Sequence, residues 1–150
     1  MQVFQTMFDA KTRAEFTSSE RNIFGHRQQS HLIKEGDIVL LQDLTEKSVF
    51  AIARMGKFEN GSVMREHSLL DTEIYNNSIY NKFEFAIAEV KILPKDISFT
   101  DLASLLGIDN TVRNNITKGT PMNFRRLFYE GNKSEEVMKR LKIWVNTIIQ

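Results

Sequence analysis

Apolar and polar positions along this chain sort into short blocks. The opening MQVFQTMF gathers Val3, Phe4, Met7 and Phe8 into a mostly apolar run and reads as a strand. AKTRAEFTSSE suits a short helix that breaks around Ser18, Ser19 and Asn22. RNIFGHRQQSHL is polar apart from Ile23 and Phe24 and reads as a loop. Glu35-Gly36-Asp37 then turns the chain into IVLLQD. That run is too rich in Ile, Val and Leu for a half-exposed strand, and predicts one covered on both faces. SVFAIARM follows after the connection LTEKS, so the two strands form an antiparallel hairpin turning around Asp43–Lys47. Asn60-Gly61, the strongest tight-turn signal in the chain, joins that hairpin to SVMRE.

Further along, KFEFAIAEVKIL carries Phe83, Phe85 and Ile87 and predicts a central strand ended by Pro94. Ser98 is placed to cap a short helix, TDLASLLG, with Asp101 in its first turn and Gly107 as its stop. TVRNNITKGTPMNFRRLFYEGN is irregular, with short helical turns at most. In the last element Ser134 caps, Glu135 and Glu136 fill the first turn, and Val137, Met138, Leu141, Trp144, Val145 and Ile148 form one stripe. Trp144 lies on that stripe, which assigns it to the core. The order of elements predicts an α+β fold, a curved, barrel-like mixed sheet with the C-terminal helix packed on it.

Composition narrows the class. A length of 150 residues fits a single domain over 1–150, long enough for a real core. The chain has no cysteine, which removes disulfides, thiolate metal sites and thiol nucleophiles. No apolar run approaches the ~18 residues of a membrane span. The start MQVFQTMFDAKTR lacks the basic and apolar regions of a signal peptide, so the expected location is the cytoplasm, with no membrane partner.

Net charge is +1, but its distribution is uneven. Between Thr111 and Lys142 stand Arg113, Lys118, Arg125, Arg126, Lys133, Lys139, Arg140 and Lys142, against Glu130, Glu135 and Glu136. Such an excess makes either a phosphate-facing patch or a solvated helix face.

Motifs for chemistry are sparse. There is no HExxH, GxGxxG, GxSxG or Walker lysine loop. His26 and His31 are five apart and His67 is isolated, a pattern commoner for surface histidines than for metal ligands. Asp9, Glu15, Asp71 and Glu73 are carboxylates of the right type for acid/base work, but nothing in the sequence aims them together. The expectation is a protein that is not an enzyme and carries no cofactor and no metal.

Aromatic residues in polar segments carry more. Phe24 lies in RNIFG, and Tyr75 and Tyr80 in IYNNSIYNK. Asn76, Asn77 and Ser78 favour a turn that brings the two tyrosines to one side. Converging rings can sandwich a flat base or wrap a methyl group. Equally, such residues serve as half-buried boundary positions.

The succession VFQTMF, RNIFG, GDIVLLQDLTEKSVFAIARM, IYNNSIYNKFEF and NFRRLFYEGNKSEEVMKRLKIW resembles a YTH or EVE domain of the PUA-like superfamily over nearly the whole chain. The family carries an aromatic, usually Trp, at the RNIFG step, and further cage aromatics before a strand of the KFEFAIAEVKILP type. The resemblance implies a reader of modified bases with Phe24, Tyr75 and Tyr80 as its cage. Gly25 then offers a backbone N–H to the base, and Asn22 a hydrogen bond to its edge. Arg125 or Arg126 falls on a phosphate-binding position, with Arg113 and Lys118 nearby in the same basic stretch. Phe and Tyr replace the family's usual tryptophans, so modified cytosine stands open beside N6-methyladenine. The implied setting is the DNA-targeting domain of a modification-dependent restriction system of the McrBC type, with an AAA+ motor and a nuclease subunit as fused or associated partners. A reader of N6-methyladenine in single-stranded RNA is the alternative. A small hydrolase or transferase and a protein-interaction domain are the readings from other classes.

Overall fold

The computed structural model describes residues 2–18, 23–26, 33–66, 83–107, 125–126 and 135–149. In chain order the elements are β1 (Val3–Phe8), α1 (Ala10–Ser18), β2 (Ile23–His26), β3 (Ile38–Asp43), β4 (Ser48–Met55), β5 (Met64–Glu66), β6 (Phe83–Ser98), α2 (Phe99–Leu105), β7 (Arg125–Arg126) and α3 (Glu135–Ile148). The strands form one curled sheet in the order β2-β6-β4-β3-β1-β7, with β5 added to β6. β1 and β3 are parallel and the other pairs antiparallel, so the sheet is mixed and the fold is α+β.

Each face of the sheet has its own core. Val3, Met7, Ile38, Leu40, Val49 and Ile52 point to one side, where Phe99, Leu102 and Leu106 of the α2 region and Val137, Leu141 and Val145 of α3 cover them. Trp144 and Ile148 pack against this cluster from the predicted stripe. On the other side Phe4, Phe8, Val39, Leu41, Phe50, Ala53, Met55, Phe85 and Ile87 gather with Phe16 of α1. Every residue of β3 is buried, as expected for a strand covered on both faces. Phe8, Phe16 and Phe50 meet at centroid distances of 5.4, 5.5 and 6.3 Å, in tilted and edge-on geometry. Each fully buried side chain of this size contributes about 1.5–3 kcal/mol.

Local chemistry sets the element ends. The Asp9 carboxylate accepts from the Thr12 N–H at 2.7 Å and caps α1, so Asp9 has a structural duty. The Ser98 hydroxyl accepts from the Asp101 N–H at 3.0 Å and caps α2. Gly107 follows that helix at a φ of +69°, a left-handed stop. The cap assigned to Ser134 lies outside the described residues. Asp37, buried, accepts from the N–H groups of Gln2 and Lys34 at 2.9 Å each and ties the β3 approach to the chain start.

Three sequence expectations need correction. Pro94 does not end β6, which runs on to Ser98. The register shows why: Ala51 pairs with Ile92 and Val49 with Ile97, so residues 93–96 bulge away from the ladder. A proline in a bulge forfeits no ladder hydrogen bond. RNIFG is not wholly a loop, because Ile23–His26 form β2 against β6. A four-residue strand between polar neighbours has too little alternation to stand out. The basic segment likewise contains β7, two residues paired with Phe4 and Gln5.

Candidate nucleic-acid interface

The start of β6 is where the predicted site residues meet the fold. β6 is long enough to be used twice. Its later part, Ile87–Ser98, pairs with β4. Its first residues, Phe83–Ala86, are flanked by β2 on one edge and β5 on the other. Phe24 stands opposite Phe85, and Gly25 opposite Glu84. Across the other edge Met64 stands opposite Phe85 and Arg65 opposite Glu84. The result is a row across three strands, Gly25, Glu84, Arg65, with a glycine at one end, a carboxylate in the middle and a guanidinium at the other.

Glu84 is the feature that sequence reasoning missed. Its side chain is 1% exposed and accepts from Arg65 Nε at 2.7 Å. Arg65 is 44% exposed and its guanidinium lies over the Phe58 ring at 4.2 Å. The signal was present in KFEFAIA, where one acid interrupts an apolar strand. A buried acid in such a strand needs a paired cation, and Arg65, opposite it on β5, supplies one.

A second charged cluster sits at the far end of β6. Arg13 of α1 donates through both terminal nitrogens to Asp96, at 2.7 and 2.8 Å, and to Asp43 at 3.0 Å. Ser48 donates to Asp96 at 2.7 Å. Asp43 also accepts from the N–H groups of Thr45 and Glu46, closing the β3–β4 turn. The guanidinium rests over Phe50 at 4.5 Å. The Arg13 hydrogen bonds hold the Asp96 carboxyl below the usual aspartate range, and Asp96 in turn raises the Arg13 guanidinium. Helix, hairpin and β6 are thereby bolted together.

Of the sequence-predicted residues, the fold brings Phe24 and Gly25 to the β6 start and Arg125 and Arg126 to the β1 edge, at the opposite end of the strand order. Asn22, Tyr75, Tyr80, Arg113 and Lys118 lie outside the described residues. The segment holding Tyr75 and Tyr80 connects β5 to β6, so both its ends adjoin the Gly25–Glu84–Arg65 row. Among the described residues, no group of three or more His, Cys, Asp or Glu is placed to hold a metal, and no helix is long and apolar enough to cross a membrane.

The fold has solved counterparts. The crystal structure of ASCH from Zymomonas mobilis superposes with a TM-score of 0.56 over 95% of this chain and 94% of its own, at 11% identity. Two point mutants of the same protein, a Tyr-to-Phe and a Ser-to-Ala variant, each superpose with a TM-score of 0.53 at 12% identity, over 95% of this chain. These define the class by architecture: the chain has the fold of the ASCH structure. No protein-family model and no curated protein matches the sequence.

Proposed function

We propose that this chain is a non-enzymatic nucleic-acid-binding domain that takes a modified base at the start of β6. The observation that carries the reading is the seating of Phe24-Gly25 on β2 beside the two ends of the segment that bears Tyr75 and Tyr80. The PUA-like architecture, shared with the ASCH structure, supports the nucleic-acid class. The YTH/EVE-type succession of segments supports the modified base, with N6-methyladenine in DNA first and the McrBC-type targeting role as its setting.

The physics is that of a desolvated ring. Stacking on an aromatic contributes about 1–3 kcal/mol per base. A base extruded from duplex DNA costs a few kcal/mol, which phosphate contacts from Arg125, Arg126, Arg113 and Lys118 would offset. Single-stranded RNA would carry little of that cost.

Fluorescence anisotropy at fixed salt, with matched duplex DNA and single-stranded RNA with and without N6-methyladenine, tests the reading. A preference of ~10-fold or more (about 1.4 kcal/mol) for methylated DNA is the expected result, and the same preference on RNA would move the domain to transcripts. Equal binding to all four strands removes N6-methyladenine as the ligand. Recovery of the oligonucleotide unchanged in mass separates a reader from an enzyme.

A further inference from the structure

We infer that Asn60 is a site of spontaneous covalent modification, where the folded turn between β4 and β5 converts its own amide to aspartate and isoaspartate. The inference is independent of the base-reading proposal.

Asn60 is the chain's one asparagine followed by glycine. Both residues are exposed at the tip of a turn that Phe58 and Ser62 close, with the Phe58 N–H donating to the Ser62 carbonyl at 2.7 Å. Gly61 has a φ of +83°, and nothing lies within 4 Å of where its Cβ would stand. The Gly61 nitrogen therefore has no side chain beside it and open space around it.

The Asn60 side chain is already folded back on that nitrogen's peptide. Its Oδ1 accepts from the Ser62 N–H at 2.9 Å, an Asx turn whose ring encloses the Gly61 peptide unit. The carboxamide is thus held over the backbone rather than left free in solvent. The same Ser62 N–H is a donor on the oxygen that gains negative charge when Cγ is attacked, which is what stabilises a tetrahedral oxyanion. One contact opposes the step: the Gly61 N–H donates to the Phe58 carbonyl at 2.9 Å. A single hydrogen bond at an exposed tip opens locally, without unfolding the strands behind it.

The chemistry needs only water. The Gly61 nitrogen gives up its proton to hydroxide and attacks Asn60 Cγ, forming an N–C bond. The Cγ–Nδ2 bond breaks and the nitrogen leaves as ammonia with a proton from water. A five-membered cyclic imide remains. Water then opens it at Cγ to give aspartate, or at the backbone carbonyl to give isoaspartate. Either product adds a negative charge. Isoaspartate also routes the main chain through the side-chain carbon, lengthening the turn that leads into the three-residue β5.

The test is to hold the full chain at physiological temperature across a pH series from neutral to mildly alkaline, folded and in urea, and to map its peptides by mass over time. Asn60 should lose its amide several-fold faster than any other asparagine in the folded protein, and faster as pH rises. Isoaspartate at that position should be detected by enzymatic methylation of its carboxylate. Asn60→Gln keeps an amide and a folded turn but would have to close a six-membered ring, so it should stay unconverted. An Asn60 that remains an amide over the time in which the urea-unfolded chain converts it overturns the inference, because the fold then shields the site. Earlier conversion at Asn77, which precedes a serine, overturns it too.

Discussion

The two ends of β6 carry the same chemical pair, an arginine against a carboxylate, and use it differently. At the Ser98 end, Arg13 meets Asp96 and Asp43, with Ser48 joining Asp96 and the β3–β4 turn closing on Asp43. Three elements that are distant in sequence converge there. At the Phe83 end, Arg65 meets Glu84 between adjacent strands, with the acid inside and the base at the surface. The first arrangement maximises cross-links per charge, which is how a scaffold is fixed. The second sets a buried acid beside an arginine whose side chain is 44% exposed. The same chemical pair therefore occupies two different settings in this protein. Connectivity and exposure set the two apart.

The largest effect should come from cutting the scaffold pair. Arg13→Ala strands Asp43, which is 4% exposed, beside Asp96, and should lower unfolding free energy by about 3 kcal/mol. Chemical denaturation would measure it, and the salt dependence of nucleic-acid binding should not move. A change in slope with little loss of stability would erase the division between the two ends. Next comes the proposed cage. Tyr75→Ala and Phe24→Ala should each cost affinity for the modified strand by about 1–3 kcal/mol while the fold persists. A fall in melting temperature that accounts for the whole loss would return these residues to the core.

Smaller effects sharpen the scaffold side. Ser98→Ala removes the α2 cap and should cost about 1 kcal/mol, with binding unchanged. The pH profile follows from Asp96. Its carboxyl titrates lower in the folded chain than the ordinary 3.8, because Arg13 and Ser48 stabilise the charged form. Its contribution to stability is thus complete above that ordinary value and is lost as pH falls through the lower, folded one. Denaturation midpoints measured down through acid should fall more steeply for wild type than for Asp96→Asn. Equal slopes would mean that the Arg13 cluster contributes no proton linkage.

Much of the scaffold was legible in the residues themselves. IVLLQD announced a strand buried on both faces because no polar residue interrupts its first four positions, and Ser98 with Gly107 marked both ends of α2. The α3 stripe worked for the same reason: over four turns, a 3.6-residue period accumulates. Where reading failed, the structure depends on partners remote in sequence. β2 exists because β6 offers an edge to Ile23–His26, and no local pattern encodes that offer. Pro94 reads as a terminator in the sequence because its tolerance depends on a bulge that only the β4 register reveals. Glu84 was visible as an acid in an apolar strand, but its meaning came only once Arg65 and Gly25 were lined up beside it. The candidate site rests on a family resemblance in the order of its segments rather than on a local motif, and of its cage residues the fold seats Phe24 and Gly25 at the β6 start.

The most direct test of the central claim is to map amide chemical-shift changes in the labelled protein as a duplex bearing N6-methyladenine is added. If the β6 start is the interface, the shifts will concentrate at residues 23–26, 64–66 and 83–86 and leave Arg13, Asp43 and Asp96 undisturbed. Shifts confined to the Arg13 end of β6 or to the helix-covered face would contradict the account.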